Sequence, residues 1–551
     1  MYIAVDSINS AILLIDSYFG SSPWFPALLL GTGIFFTIYL KFPQIIFFNR
    51  AWKILFSGNK YKDNKGETTP FQALSTALSG TVGTGNIGGV AMAIFIGGPA
   101  ALFWMWITAF LGMTTKYVEV SLAHKYRISL DDGSIAGGPM YYMQNGLKSK
   151  WLGIIFAFCL LVTTFGSGMM PQIDNISSTL FSSFSIPNLT TSIVMTILVG
   201  LVIIGGLKRI ASVAASIVPT MATIYFIGAL SVIFYNYENI LPTFQMIFSD
   251  IFTGTSVVGG FLGASIATAF NYGVARGLYS NEAGQGSAPI AHATSKTKES
   301  IEEGFVSILE PFIDTIVICT LTGLVILSSG AWIEKYENKF ERTTFFILEG
   351  SFDETDSEEL IDFFQGNNDS INLHSGEINI KSGRIEGNYT FMNNRSFAED
   401  ILIYENENPF NGEITVKDGL VSSDVDIVGK SLVKSAVLTS KAFNKGFFGD
   451  YGEYIVTLGL LLFAFSTVVS WSYYGDRCTI YLFGKKYVFL YRIVYMSAFF
   501  IVGTGWIDTE IIWNFALITV AAAALPNLIA IFLLSKEMRT LQDNYTQERE
   551  N

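Results

Sequence analysis

Apolar residues in this chain gather into runs of roughly 20 with almost no charge, the length at which a helix crosses a bilayer. The pattern predicts eleven helical spans, at 22–40, 70–95, 98–122, 151–172, 190–206, 211–235, 254–273, 305–329, 453–474, 487–504 and 511–534. Several are interrupted by Gly or Pro, which membrane helices tolerate where neighbours re-satisfy the backbone. Basic residues cluster in every second connection. Arg50, Lys53, Lys60, Lys62 and Lys65 follow the first span, and Lys125, Arg127, Lys148 and Lys150 follow the third. Lys208 and Arg209, then Lys296 and Lys298, then Arg477, Lys485 and Lys486, then Lys536 and Arg539 continue the alternation after spans five, seven, nine and eleven. The connections near 173–189, 236–250 and 505–510 hold no Lys or Arg. This positive-inside bias places the N-terminus outside and the C-terminus in the cytoplasm of a cell membrane.

One segment breaks the pattern. Residues 332–430 are polar and rich in Asn and Gly, with 21 Asp and Glu against 8 Lys and Arg. The whole chain carries −12, so the remainder is close to neutral and the acidity belongs to this insertion. Alternations such as Ile378-Asn379-Ile380-Lys381 and Ile414-Thr415-Val416-Lys417 predict short β-strands. Topology puts the insertion outside, as a lid, a spacer or a module for a partner that the sequence does not identify. The expected organisation is eight spans in 1–331, a β-rich extracytoplasmic insertion at 332–430, three spans in 431–535 and a cytoplasmic tail at 536–551.

Composition agrees with lipid as the main solvent: half the residues are hydrophobic and only 15% are charged, against about a quarter in soluble proteins. The first 20 residues hold Asp6 and Asp16 and no basic residue, unlike a cleavable leader. Cys159, Cys319 and Cys478 show neither paired nor metal-ligand spacing and read as small core residues. No P-loop is present, and the glycine run lies inside an apolar span, which excludes a dinucleotide fingerprint. The spread of the basic residues over loops gives no case for nucleic acid.

The densest candidate chemistry is Ser79-Gly80-Thr81-Val82-Gly83-Thr84-Gly85-Asn86-Ile87-Gly88-Gly89, in the second span. Five glycines in eleven residues make a poor continuous helix, at up to about 1 kcal/mol each relative to Ala. A break there would expose amides at one half-helix, where the dipole favours a carboxylate, and carbonyls at the other, which suit a cation. Close packing of helices through small residues explains the same glycines. A second break is expected at Ala269-Phe270-Asn271-Tyr272-Gly273, with an ordinary polar kink as the other reading. Gln172 and Asp174 end the fourth span, Asp174 either at membrane depth, as a functional carboxylate, or at the outer surface. Ser466, Thr467 and Ser470 in the ninth span either ligate a cation or bond back to their own helix. Glu282 lacks a nucleophile or metal partner and reads as a brace near Arg276.

Phe71-Gln72-Ala73-Leu74 leading into Val82-Gly83-Thr84-Gly85-Asn86-Ile87 resembles the alanine/glycine:cation symporter family. So do Gly97-Gly98-Pro99-Ala100-Ala101-Leu102-Phe103-Trp104-Met105-Trp106, Gly137-Gly138-Pro139-Met140-Tyr141-Tyr142 and Ser280-Asn281-Glu282-Ala283-Gly284. Phe463-Ala464-Phe465-Ser466-Thr467, Trp471-Ser472-Tyr473-Tyr474-Gly475 and Ala524-Leu525-Pro526-Asn527-Leu528 complete the match, in order, over most of 20–331 and 431–535. The resemblance implies an all-α polytopic membrane protein of leucine-transporter-like fold: two inverted five-helix repeats after one extra N-terminal helix. It implies no enzyme but sodium-driven symport of a small neutral amino acid, alanine or glycine, with Na⁺ as coupling ion and no organic cofactor. The alternatives are a proton-coupled symporter and a membrane receptor that senses an amino acid without net transport.

Carried over by position, Thr81, Gly83, Thr84, Gly85, Gln172, Asp174, Phe270, Asn271 and Gly273 would bind the substrate, with the amides around Gly83 and Gly85 at its carboxylate. Sodium would take the carbonyls of Ser79, Val82 and Phe463 and the hydroxyls of Ser466 and Thr467, with Asn86 at a second cation site or in the pocket. In the fourth span, where the family reads Gly-Asn-Met-Val-Gln-Ala-Asn-Ser, this chain keeps Gln172 but has Met169, Pro171, Ile173, Asp174 and Asn175 around it. Gln285 stands where the family has Met. Departures at pocket positions would shift the substrate away from alanine.

Overall fold

The chain is mainly helical with one β-rich part in a computed structural model that describes residues 12, 14–19, 22, 24–57, 64–258, 261–353, 359–360, 363, 371–507 and 509–550. Helices relevant to the site are α1 (Trp24–Tyr39), α2 (Pro70–Thr81), α3 (Val90–Gly97), α4 (Ala100–Lys125), α5 (Lys150–Gly166), α6 (Met170–Phe184), α7 (Asn188–Ile203), α8 (Gly206–Tyr235) and α9 (Ile240–Thr253). They continue with α10 (Ile266–Asn281), α11 (Ala288–His292), α12 (Ser300–Ser328), α13 (Ser435–Phe443), α14 (Gly452–Phe483), α15 (Val488–Gly503), α16 (Thr509–Leu533) and α17 (Ser535–Glu550). Among the described residues, six helices are long and apolar enough to cross a membrane, or seven if the bent pair Pro70–Thr81 and Gly85–Gly97 is one span. α1 and α7 are apolar but shorter.

All eleven predicted intervals contain helix, but the seventh is displaced. The expected span was 254–273, with a break at Ala269–Gly273. Instead α10 runs unbroken from Ile266 to Asn281, capped by Ser265, whose hydroxyl accepts from the Thr268 N–H. Gly273 and Gly277 form a small-xxx-small seam against α4 rather than a hinge. A Cβ at Gly273 would lie 2.7 Å from the Trp104 Cβ, and one at Gly277 3.1 Å from the Met105 Cα. The discontinuity lies further on, at 282–287, where Glu282, Gly284 and Gly286 all take positive φ before α11 begins. α9 lies where a connection was expected. It buries Thr243, Ile247 and Asp250 and exposes Leu241, Phe248 and Phe252, so its outward face is apolar.

The second span breaks where its glycines indicate. Thr69 and Gln72 cap the start of α2 reciprocally. α2 ends at Thr81, a widened π stretch covers Gly85–Gly89, and the two halves bend by 56°.

Apart from a short hairpin pairing Ile128–Ser129 with Ile135–Ala136, the strands described lie between Tyr336 and Ser431 in two sheets. One orders 408–409, 399–405, 426–431 and 336–340; the other orders 384–385, 376–381, 412–417, 420–421, 345–349, 389–393 and 396–397. The alternation at 378–381 and 414–417 forms the expected strands: Ile378 pairs with Ile414 in antiparallel register, and Ile378, Ile380, Ile414 and Val416 are buried between the sheets.

Candidate functional site

The break in the second span leaves carbonyls without helical partners, and α14 meets them with hydroxyls. Ser79 Oγ donates to the Ser466 carbonyl at 2.8 Å, while Ser466 Oγ faces the carbonyls of Phe463 at 2.9 Å and Ser79 at 3.4 Å. Thr467 Oγ1 faces the carbonyls of Phe463 at 3.0 Å and Val82 at 3.3 Å. Three carbonyls and two hydroxyls, from Ser79, Val82, Phe463, Ser466 and Thr467, therefore converge in a fully buried seam. Oxygens about 2.4 Å from a hard cation sit roughly 3.4 Å apart when at right angles, so these spacings fit such an ion without rearranging the backbone. The donor set is neutral oxygen throughout, which suits Na⁺ and gives nothing for a soft metal.

On its other side the break meets α12. Gly83 N–H donates to Asn86 Oδ1 at 2.9 Å. Asn86 Nδ2 donates to Asp314 Oδ1 at 2.6 Å and to Ser280 Oγ at 3.1 Å. Asp314 Oδ2 accepts from Ser280 at 2.7 Å and from Thr315 at 2.6 Å. Asp314 is fully buried, and no basic group pairs with it among the described residues. Asn86 and Asp314 both sit in π stretches, Gly85–Gly89 and Phe312–Cys319, and such widened turns recur at functional sites. Asp314 was not among the expected site residues, although a carboxylate inside an apolar span is the signal that singled out Asp174.

A small closed cavity of 10 Å³ lies at the break, lined by Gly80, Thr81, Gly83, Gly85, Ser167, Gln172, Tyr279, Glu282, Thr467 and Trp471. Thr84 N–H donates to Gln172 Oε1 at 3.3 Å. Tyr279 OH in the lining and Thr84 Oγ1 in the break have no hydrogen-bond partner among the described residues, a cost that a polar ligand would relieve. This volume reaches only the threshold for one water, so an amino acid enters only if Gln172, Tyr279 or Trp471 swings aside.

Thr81, Gly83, Thr84, Gly85 and Gln172 are thus brought together; the others are not. Asp174 lies in α6 and accepts from Thr509 Oγ1, at the head of α16, at 3.2 Å. Phe270 packs edge-on to Trp104 at 4.8 Å, and Gly273 is occupied by helix packing. Asn271 lines a separate, larger cavity beneath the strands. Tyr279, Glu282, Ser167 and Trp471 line the small cavity without having been expected there. Glu282 accepts from Ser287 Oγ at 2.6 Å, and Arg276 lies over the Trp513 ring instead of bracing Glu282.

Beside the site, two buried acids meet basic side chains. Lys116 Nζ is 3.0 Å from Glu310 Oε1, and His292 Nδ1 is 2.6 Å from Glu303 Oε1. Three separated motifs join in one cluster: Tyr142 OH and Glu119 flank Asn527, which also donates to the Gly284 carbonyl at 2.8 Å.

Comparison with known proteins bears on this arrangement. The model of the sodium:alanine symporter family matches residues 5–352 and 418–551, leaving out 353–417 within the β-rich part. The sodium/alanine symporter AgcS of Methanococcus maripaludis is 37% identical over 533 residues, covering 96% of this chain and 95% of its own length. An uncharacterized transporter of Haemophilus influenzae is 37% identical over 543 residues, covering 98% and 97%. GlnT of Bacillus subtilis, named a probable sodium/glutamine symporter, is 30% identical over 524 residues, covering 95% and 87%.

Proposed function

The chain belongs to the sodium:alanine symporter family, a family of transporters and not of enzymes, and on that premise we propose that it couples Na⁺ entry to uptake of alanine or glycine by alternating access. The observation that carries this reading is the convergence of the Ser79, Val82 and Phe463 carbonyls with the Ser466 and Thr467 hydroxyls. An arriving Na⁺ takes lone pairs from these five oxygens, and the two hydroxyl protons turn away. The ion then pins the broken second span to α14. The substrate carboxylate displaces Gln172 from the Thr84 N–H, at the N-terminal end of the outer half-helix, where the dipole favours an anion. Thr84 and Tyr279 hydroxyls supply further partners.

In this reading the β-rich insertion faces outside and the basic connections face the cytoplasm. Asn86 and Asp314 form a second cation point on the opposite side of the break. A proton-coupled cycle is the second reading, and Asp314 favours it, because a buried carboxylate without a basic partner is a natural proton carrier.

The test is uptake of labelled alanine by the purified protein in liposomes, under an inward Na⁺ gradient, under K⁺, and under an inward proton gradient. Accumulation that requires Na⁺ and is lost in Ser466→Ala/Thr467→Ala supports the first reading. Accumulation driven by the proton gradient alone moves the assignment to the second. Binding of alanine with no accumulation under any gradient rejects both in favour of a sensor.

A further inference from the structure

A cavity larger than the one at the break lies between the helices and the strand module. It has a volume of 590 Å³ and is lined by α3 (Met92, Phe95, Ile96), by α10 (Ser265, Ala267, Thr268, Asn271, Tyr272) and by the strand module (Thr343, Thr344, Phe346, Asn394, Arg395). The module enters through the hairpin joining 389–393 to 396–397, whose two-residue turn is Asn394-Arg395. Asn394 adopts a left-handed conformation (φ 54), which Asn tolerates better than most residues. Its N–H donates to the Thr344 carbonyl at 2.8 Å, fixing the turn on the neighbouring loop. Arg395 is thereby aimed at the helices. Its Nη1 donates to the Ile96 carbonyl at 3.0 Å and its Nη2 to the Gly263 carbonyl at 3.3 Å.

Two carbonyls hold the guanidinium but do not neutralise it. Among the described residues no carboxylate pairs with Arg395, and the cavity lining contains no acidic side chain. A guanidinium has five donors in a planar fork, so donors remain for a ligand beyond the two carbonyls. Of the other twelve lining residues, five are apolar and seven carry an amide or hydroxyl, a makeup that suits a small polar organic molecule. The two cavities also share a helix. Asn271 and Tyr279 lie on the same helix eight residues apart, which puts the two cavities about 12 Å apart along α10.

We propose that this cavity is a receiving site for the amino acid, in which Arg395 of the inserted module binds the substrate carboxylate before it passes to the break. The inference rests on the functional reading above and on the module facing outside. It gives the insertion a function: the segment that the family model leaves unmatched supplies a fixed positive charge over the entrance. It also explains why the cavity wall carries no acid, since an acidic residue there would compete with the substrate for the guanidinium.

The experiment is the alanine dependence of Na⁺-driven uptake by the full chain in liposomes. Arg395→Gln is expected to raise KM about tenfold while kcat stays within about twofold, and Arg395→Lys, which keeps the charge, to recover most of the loss. Thr343→Glu leaves Arg395 and both carbonyls in place but adds an anion to the exposed rim, and is expected to raise KM in the same direction. KM within twofold of the parent in both Arg395→Gln and Thr343→Glu overturns the proposal. So does a fall in kcat at constant KM in Arg395→Gln, which makes Arg395 a clamp between α3 and α10 and no ligand. If the parent protein itself takes up no alanine under any gradient, the functional reading fails and this inference fails with it.

Discussion

Two glycines six residues apart in the same run make opposite predictions. An ideal Cβ at Gly83 would come 2.8 Å from Thr467 Oγ1 and 3.2 Å from Gln172 Oε1. The first distance is shorter than a non-bonded Cβ contact tolerates, so one of the two must give way. Thr467 cannot retreat without leaving the Val82 carbonyl, now 3.3 Å away, and Gln172 cannot retreat without leaving the Thr84 N–H. Overpacking of this kind costs about 1–3 kcal/mol. Here it falls on the sodium oxygens and on the cavity wall together. At about 1.4 kcal/mol per factor of ten, Gly83→Ala should raise the half-saturating Na⁺ concentration by roughly 5- to 100-fold. Gly89 is the control: its added Cβ meets nothing within 4 Å. Gly89→Ala should leave Na⁺ dependence unchanged and raise thermal stability by up to about 1 kcal/mol, through helix propensity. Na⁺ titration of alanine uptake in liposomes reads the first quantity, and thermal unfolding in detergent reads the second. Equal Na⁺ dependence in the two variants would refute the placement of Gly83 between Thr467 and Gln172.

Other perturbations probe the remaining contacts. Thr467→Ala removes one of five oxygens and should raise the half-saturating Na⁺ concentration about tenfold, whereas Thr467→Ser, which keeps the hydroxyl, should stay within about threefold of the parent; the same Na⁺ titration reads both. Asp314→Asn keeps the shape and removes the charge at the Asn86 cluster; the number of Na⁺ or H⁺ moved per alanine, measured from the reversal potential of uptake, should fall by one, and an unchanged number excludes Asp314 from coupling. Lys116→Met leaves Glu310 buried with His292 Nε2 at 3.8 Å as its nearest cation, and should destabilise the protein by about 3 kcal/mol or more. The double variant Lys116→Met/Glu310→Leu should recover much of that loss in thermal unfolding; no recovery means the pair is not what holds α4 to α12.

The features legible in the sequence were those with a local cause. Lipid demands long apolar runs, so every predicted interval contains helix. Five glycines among eleven residues cannot sustain a helix, so the break fell where it was expected. Strand alternation at Ile378, Ile380, Ile414 and Val416 depends only on which face is buried, and it was read correctly. What failed depended on neighbours. Asn271 in a run of small residues looked like a kink, but its polarity serves a cavity wall while Gly273 serves packing against α4. The true discontinuity carried its own signal in Gly284 and Gly286, whose positive φ a side chain would resist. Asp314 was overlooked because a span averaged over its length hides a single carboxylate. Asp174, expected either at membrane depth or at the outer surface, accepts from Thr509 instead of entering the break. Nothing local marks Arg395, since a surface hairpin with one basic residue is ordinary until its docking partner is known.

Three consecutive stations of the break face three different helices. The Val82 carbonyl meets Thr467 of α14, the Gly83 N–H is tied through Asn86 to Asp314 of α12, and the Thr84 N–H meets Gln172 of α6. With no intervening residue to absorb a displacement, a cation that draws Val82 toward α14 must also move the two amides that follow. The ion and the substrate then act on one short segment, and each has to favour the arrangement that the other needs. Linkage makes this reciprocal: the factor by which saturating Na⁺ raises alanine affinity equals the factor by which alanine raises Na⁺ affinity. On the proposed assignment the Ser466 hydroxyl would act on substrate affinity without touching substrate, and Gln172 on ion affinity without touching the ion. A hinge this short lets coupling arise from backbone geometry alone, with the side chains setting only which ion and which amino acid are coupled.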